Sequence, residues 1–173
     1  MVIECLVDID LFTDVEYGTI DFEGIDEDLR ANFSYVDQSS TDLIGFGRSY
    51  FVGNSAKESI KLDLYYTDKF VFQSLVVDGI RLATIEEIIA MKVDVIDRTG
   101  RKKDFWDLHA LSGTFSFEKM LNFHEQRYPF NHNREHIKKQ FLNFESANED
   151  FDPICLKGNF WEIVRLDIMD FVG

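Results

Sequence analysis

Asp8 and Asp10 stand one residue apart in "VDIDLFTD", residues 7 to 14, within an otherwise apolar run. An extended strand sends alternate side chains to opposite faces. Val7, Ile9 and Leu11 are therefore expected to face a core, with Asp8 and Asp10 together on the other side. Two carboxylates that close repel each other unless a positive group sits between them. One reading of the pair is a divalent metal site; the other is the solvated face of an edge strand.

A second strand adds to this face. In "SIKLDLYY", Ile60, Leu62 and Leu64 share one side, and Asp63 lies on the other with Lys61 and Tyr65. A third carboxylate on a polar strand face points to a cluster of Asp8, Asp10 and Asp63. Mg²⁺ takes oxygen ligands, commonly one or two carboxylates plus substrate phosphates. Two such ions, about 3.5–4 Å apart, can activate an attacking hydroxyl and stabilise a leaving phosphate.

Lys92 is the next residue out of place. Ile85, Ile88 or Ile89, Lys92, and Val95 or Ile96 follow helical spacing, so the lysine falls on the apolar stripe. It either snorkels to the surface or points into a cleft. Downstream, Arg98, Arg101, Lys102 and Lys103 precede Asp104 and Asp107, which share a helix face. The plain reading of that group is a surface ion-pair patch.

The elements that must hold these residues are strands first and helices after. "VIECLVDIDLF" reads as a strand and "FEGIDEDLRANF" as a short acidic helix. "LIGFGRSYFVG" and "SIKLDLYYT" read as a hairpin turned by Gly53, Asn54 and Ser55, and "LVVDGIRLA" as a further extended stretch. Thr84 with Glu87 forms a capping box opening "IEEIIAMKVDVIDR". "KKDFWDLHALSG", ended by Gly113, follows, and three more helical patterns run to the C-terminus. The expected fold class is α+β, with a mixed sheet in residues 1–82 and a helical region in residues 83–173.

Composition bounds the rest. A 45% hydrophobic content with 17 Phe argues for a packed core despite 29% charged residues. No apolar run approaches the ~20 residues of a membrane span. The first residues lack the basic start of a signal peptide, and Cys5 and Cys155 lack metal-type spacing, so a reduced, cytoplasmic protein is expected. A net charge of −14 argues against nucleic acid, but the charge is uneven. Residues 1–60 hold 13 acidic and 3 basic residues, a balance of −10; residues 98–139 hold 5 and 9, a balance of +4. That polarity permits an acidic metal-binding half and a basic phosphate-attracting half.

Taken together, "VDIDLFTD", "IKLDLYY" and "IRLATIEEIIAMKVDVIDRTGRKKDFWDLHAL" resemble the nucleotidyltransferase-like AbiEii/AbiGii toxin family, bacterial proteins of type IV toxin–antitoxin and phage-defence systems. The resemblance spans residues 7 to 112. It implies a nucleotidyltransferase-like sheet and Mg²⁺-dependent transfer of a nucleoside monophosphate from an NTP to an RNA (tRNA-like) or protein acceptor. It implies Asp8 and Asp10 as the paired metal carboxylates and Asp63 as the third, orienting or deprotonating the acceptor hydroxyl. Lys92 and Arg98 are then expected at the NTP phosphates, and Asp104 in a supporting catalytic role. An antitoxin protein and a second copy of the chain are the implied protein partners. The family pattern also has a Gly-Gly or Gly-Ser turn opening a helix upstream of the acidic pair, a phosphate cradle. The seven residues before Asp8 contain no glycine, so a shortened start is expected.

Two other readings stand beside the transferase. One is a catalytically inactive domain acting through contact with an antitoxin or its own copy. The other is a carboxylate-plus-lysine nuclease using Asp63 and Lys92. The run His132-Asn-Arg-Glu135-His136 fits the H-x-x-E-H zinc pattern but lacks an evident third ligand. Asn131 reads as a helix cap, and Arg134, Lys138 and Lys139 make a basic, RNA-facing helix the expectation instead. His109 and His124 show no constellation.

Overall fold

The computed structural model of the chain describes residues 8–37, 46–155 and 157–173. Val7, Cys5 and the expected starts of the first strand and of the hairpin strand at Leu43 lie outside them. The fold is α+β, in two compact units, Leu6–Lys69 and Phe70–Gly173.

The first unit carries a four-stranded sheet in the order β1-β4-β3-β2, with β1 at Asp8–Thr13, β2 at Tyr35–Val36, β3 at Gly47–Ser55 and β4 at Glu58–Tyr66. β1 runs parallel to β4, while β3 pairs antiparallel with both β4 and β2. The helix α1, Phe22–Asn32, begins where Asp21 accepts a hydrogen bond from the Gly24 amide at 2.9 Å. Tyr50 and Val52 of β3 and Val36 of β2 form a small core, with Leu29 of α1 and Leu62 and Leu64 of β4 packed against it. Alternation places Leu62 and Leu64 on the covered side and leaves Lys61, Asp63 and Tyr65 on the other.

Two expectations change here. Leu11 was expected in a core but is 49% exposed, because β1 is an edge strand and the packed cluster lies under β3 and β4. The hairpin turn is not at Gly53–Ser55, since β3 continues to Ser55 and the chain reverses at Ala56 and Lys57. Gly53 serves a different need: the ladder shifts register between Gly53 and Ser55, and a side chain at Gly53 would run into the Glu58 carbonyl oxygen.

The second unit opens with a two-stranded hairpin, β5 at Leu75–Val77 and β6 at Ile80–Leu82. Asp78 and Gly79 between them both have positive φ, 51° and 80°, as a two-residue Asp-Gly turn requires. Six helices follow: α2 (Ile85–Thr99), α3 (Lys102–Leu111), α4 (Phe117–Arg127), α5 (Arg134–Phe141), α6 (Glu145–Asn148) and α7 (Trp161–Val172). Their apolar stripes meet in one core that includes Ile89, Val93, Phe105, Met120, Phe141 and Val164. Phe105 is its aromatic hub, with Phe144 at 5.2 Å, Trp161 at 6.0 Å and Phe141 at 6.3 Å between ring centroids.

The capping box at α2 is only half formed. Thr84 Oγ accepts the Glu87 amide hydrogen at 3.4 Å. The Glu87 carboxylate, fully buried, instead accepts the amide hydrogens of Val71 and Phe72 at 3.1 and 3.0 Å. Arg127 Nε lies 2.5 Å from its other oxygen, off the hydrogen-bond axis. Glu87 therefore pins the strand-to-helix segment to α4 within this unit. At α5 the cap is Asn133, which accepts from the His136 amide at 3.0 Å, and not Asn131, whose amide closes a turn on Tyr128. Among the described residues no helix is long and apolar enough to cross a membrane.

Candidate functional site

In a parallel strand pair, residues in register send their side chains to the same side of the sheet. The register sets Asp8 beside Lys61 and Asp10 beside Asp63, with Ser49 of β3 on the far side of Asp63. Asp8, Asp10, Asp63 and Lys61 therefore occupy one patch of one face. Asp63 is only 6% exposed, in the central strand β4, while Asp10 is exposed on the edge strand. Lys61 Nζ donates to Asp63 Oδ2 at 2.5 Å, and Asp63 Oδ1 is buried with no hydrogen-bond partner. Beside them Ser49 Oγ and Tyr65 Oη lie 3.3 Å apart.

A positive group, Lys61, thus stands on the face of the paired carboxylates. Burial pulls its pKa down, but the hydrogen bond it donates to Asp63 and the charges of Asp63, Tyr65 and Asp8 outweigh that and hold it above the ordinary lysine value. The donor set is all carboxylate oxygen, the chemistry a hard divalent cation takes, and Asp63 Oδ1 is an unspent acceptor. The side chains as they stand are not gathered around a point: among the described residues no three His, Cys, Asp or Glu form a group that could hold a metal ion.

The second group belongs to the second unit. Lys92 leaves the apolar stripe of α2 to meet α3, where Nζ lies 2.8 Å from Asp104 Oδ1 and 2.7 Å from Asp107 Oδ2. The other Asp104 oxygen accepts the Arg101 amide hydrogen at 3.0 Å, which caps α3. Asp104 is 3% exposed and the Lys92 side chain 25%, so this is a half-buried triad and not the surface patch that the run of charges suggested. Burial lowers the Lys92 pKa, yet the Asp107 and Asp104 carboxylates overcome it and the net direction is upward.

Arg98 does not join that triad. Six residues beyond Lys92, it lies about 240° around the helix. Its guanidinium, on a 70% exposed side chain, pairs with Asp94 at 2.5 Å. The zinc-like histidines do not converge either. His132 Nδ1 faces His124 Nδ1 at 2.9 Å, and His136 Nε2 lies 3.7 Å from Asp97. His109 pairs with Asp167 at 2.7 Å. Sequence reasoning missed the His124–His132 pair, whose members come from α4 and the loop after it, gave no role to Lys61, and read Asp107 only as part of a surface ion-pair patch. The signal for Lys61 was available: it stands two residues from Asp63, on the same strand face.

A family model described as the nucleotidyl transferase AbiEii toxin of a type IV toxin–antitoxin system matches residues 7–157. The chain belongs to the AbiEii family. Asp8, Asp10, Asp63, Lys92, Arg98 and Asp104 all lie inside the matched span of this AbiEii chain. A solved structure from H. pylori, provisionally assigned as a nucleotidyltransferase, is similar over 98% of this chain and 77% of its own, at 18% identity and a TM-score of 0.48. No curated protein matched the sequence.

Proposed function

We propose that this AbiEii-family chain is a divalent-metal-dependent nucleotidyltransferase that moves a nucleoside monophosphate from an NTP to an RNA or protein hydroxyl, breaking the α–β phosphate bond and releasing pyrophosphate. The observation that carries the reading is the strand register, which sets Asp10 beside Asp63 on the face that also bears Asp8. Asp8, Asp10 and Asp63 would hold Mg²⁺, which when bound supplies charge to the reacting phosphate and acidity to the attacking hydroxyl.

The chain's own residues do the rest. Asp63, at the inner end of the patch, would accept a hydrogen bond from the acceptor hydroxyl and take its proton. Within the helical unit, Lys92 would offer an ammonium to phosphate, and Asp104 and Asp107 hold that ammonium from α3. Arg98 is available to phosphate once it exchanges Asp94 for it, a substitution that costs little on so exposed a side chain. The basic balance of residues 98–139 supports an RNA acceptor. Membership of a type IV toxin family supports a cognate antitoxin as the protein partner.

A second reading, a domain acting through protein contact, is favoured by one feature. Leu75, Val77, Ile80 and Leu82 share one face of the β5–β6 hairpin, and all four are exposed. The deciding experiment is calorimetric titration of NTP with and without Mg²⁺, on the wild type and on Asp8→Asn/Asp10→Asn. Binding that needs Mg²⁺ and is lost in the double variant supports the transferase. A folded wild type that binds no NTP with Mg²⁺ removes it and leaves the contact and nuclease readings, which nicking of labelled nucleic acid without NTP separates.

A further inference from the structure

We propose that Lys61 is a resident cation of the acidic face, a positioning residue whose ammonium holds Asp63 in the metal-free protein and gives way when a divalent ion binds. The inference rests on the metal reading of Asp8, Asp10 and Asp63 given above, and adds to it a competitor that is part of the chain.

The first observation is contact. Lys61 Nζ lies 2.5 Å from Asp63 Oδ2, a charge-assisted bond inside the carboxylate patch. The second is register. Lys61 is the rung partner of Asp8 and is two residues from Asp63, whose own rung partner is Asp10, so the ammonium arises on the face that all three carboxylates share. The third is what the bond leaves undone. Asp63 is 6% exposed, and its Oδ1 has no partner. A buried carboxylate with one oxygen held and the other orphaned retains capacity for a stronger ligand.

These observations together explain why the donors of a metal site are present without being gathered. A divalent ion would have to draw Asp63 toward Asp10 and Asp8, and Lys61 holds it by one oxygen instead. Lys61 is also able to leave. Its side chain is about one-third exposed, and a four-carbon stem can carry the ammonium to water by rotation alone. The arrangement lets the acidic face remain stable when metal is scarce and sets a threshold concentration above which it loads.

The test uses Mn²⁺ alone as the probe, with free Mn²⁺ followed by its paramagnetic resonance signal against the intact chain. Wild type, Lys61→Met, Lys61→Arg and Asp63→Asn are compared, each first shown to be folded by circular dichroism. Lys61→Gln is run beside them: it loses the charge but keeps a donor for Asp63, so the test survives if Lys61→Met does not fold. Removing a positive charge within a few ångströms of the ion predicts about tenfold tighter Mn²⁺ binding in Lys61→Met and Lys61→Gln, with Lys61→Arg unchanged or weaker. Tight binding by the neutral variants where the wild type binds none also supports the proposal. Mn²⁺ binding that depends on Asp63 but is equal or weaker in the neutral variants overturns it and leaves the metal site standing. No binding by any folded variant removes the metal reading, and this inference with it.

Discussion

Replacing Lys92 with Met keeps an unbranched side chain one atom shorter, removes its charge, and leaves two carboxylates facing the vacated position. Asp104 and Asp107 meet Nζ at 2.8 and 2.7 Å, and Asp104 is almost wholly buried. Removing one partner of a fully buried ion pair costs about 3–5 kcal/mol. Here Asp104 keeps the Arg101 amide, and both Asp107 and Lys92 reach solvent, so the cost falls to about 2–3 kcal/mol. The chain's two tryptophans, Trp106 and Trp161, both lie in the core of the helical unit, so indole fluorescence in a urea titration reads that unit alone. The midpoint is expected to drop with little change in slope. Adding Asp104→Asn to Lys92→Met should recover more than half of the loss, because the uncompensated buried charge is then gone. The pH dependence has a definite sign. Lys92 has its folded pKa raised above 10.5, so its contribution is complete below that value and is lost as pH rises through the folded one. The stability gap between wild type and Lys92→Met should therefore be flat across neutral pH and close only in the alkaline range. A gap under about 0.5 kcal/mol at neutral pH, or one indifferent to Asp104→Asn, would refute the reasoning. The same series separates two meanings of lost activity: a loss beyond the unfolded fraction marks Lys92 as catalytic, and a loss that tracks unfolding marks it as scaffold.

Other outcomes follow from groups outside the acidic face. Glu87→Gln removes the charge facing Arg127 in a fully buried site and should cost about 3 kcal/mol; hydrogen exchange at the Val71 and Phe72 amides should quicken, and unchanged protection there would contradict the pinning role. His132 has its pKa pushed below 6.5 by burial and then by His124, with Arg134 adding to the effect and Glu125 and Asp97 opposing it. The unfolded chain therefore takes up that proton first, and stability falls as pH drops from 6.5 toward the folded value; His132→Gln should flatten that slope in urea titrations across the window. Val77→Lys with Ile80→Glu keeps a complementary rung pair on the exposed hairpin, so stability should stay within about 0.5 kcal/mol. Retained affinity for the antitoxin in that variant would exclude the hairpin as its docking surface.

How far the site could be read from sequence depended on the range of the interactions involved. Strand alternation is local, so Asp8 with Asp10, and Asp63 with Lys61, could be assigned to shared faces from spacing alone. That Asp10 lies beside Asp63 could not, because a parallel β1–β4 pairing joins residues more than fifty positions apart through the fold. Gly53 shows how one local signal can serve two causes. Glycine marks turns, but here it admits a neighbouring backbone within a strand, while Ala56 and Lys57 turn the chain without any such mark. Glu87 fitted a local cap motif and was claimed instead by Val71, Phe72 and Arg127. For Glu87 the distant partners overrode the local cap because burial made the alternative an unsatisfied charge.

The same logic bears on why the acidic face carries a lysine at all. A sheet that bore Asp8, Asp10 and Asp63 without Lys61 would be less stable, since the repulsion falls hardest on Asp63, the member in the central strand. Placing Lys61 two residues away on the same strand satisfies one Asp63 oxygen locally, with no contribution required from elsewhere in the chain. On the metal reading proposed above, folding and metal loading would be separate, because Lys61 already holds Asp63 in a sheet that is in register without the ion. That separation makes the stability of Lys61→Met the sharper companion to its Mn²⁺ affinity. Lost without metal and restored by it, stability would show that the lysine substitutes for the ion; lost and not restored, it would show that Lys61 is structural only.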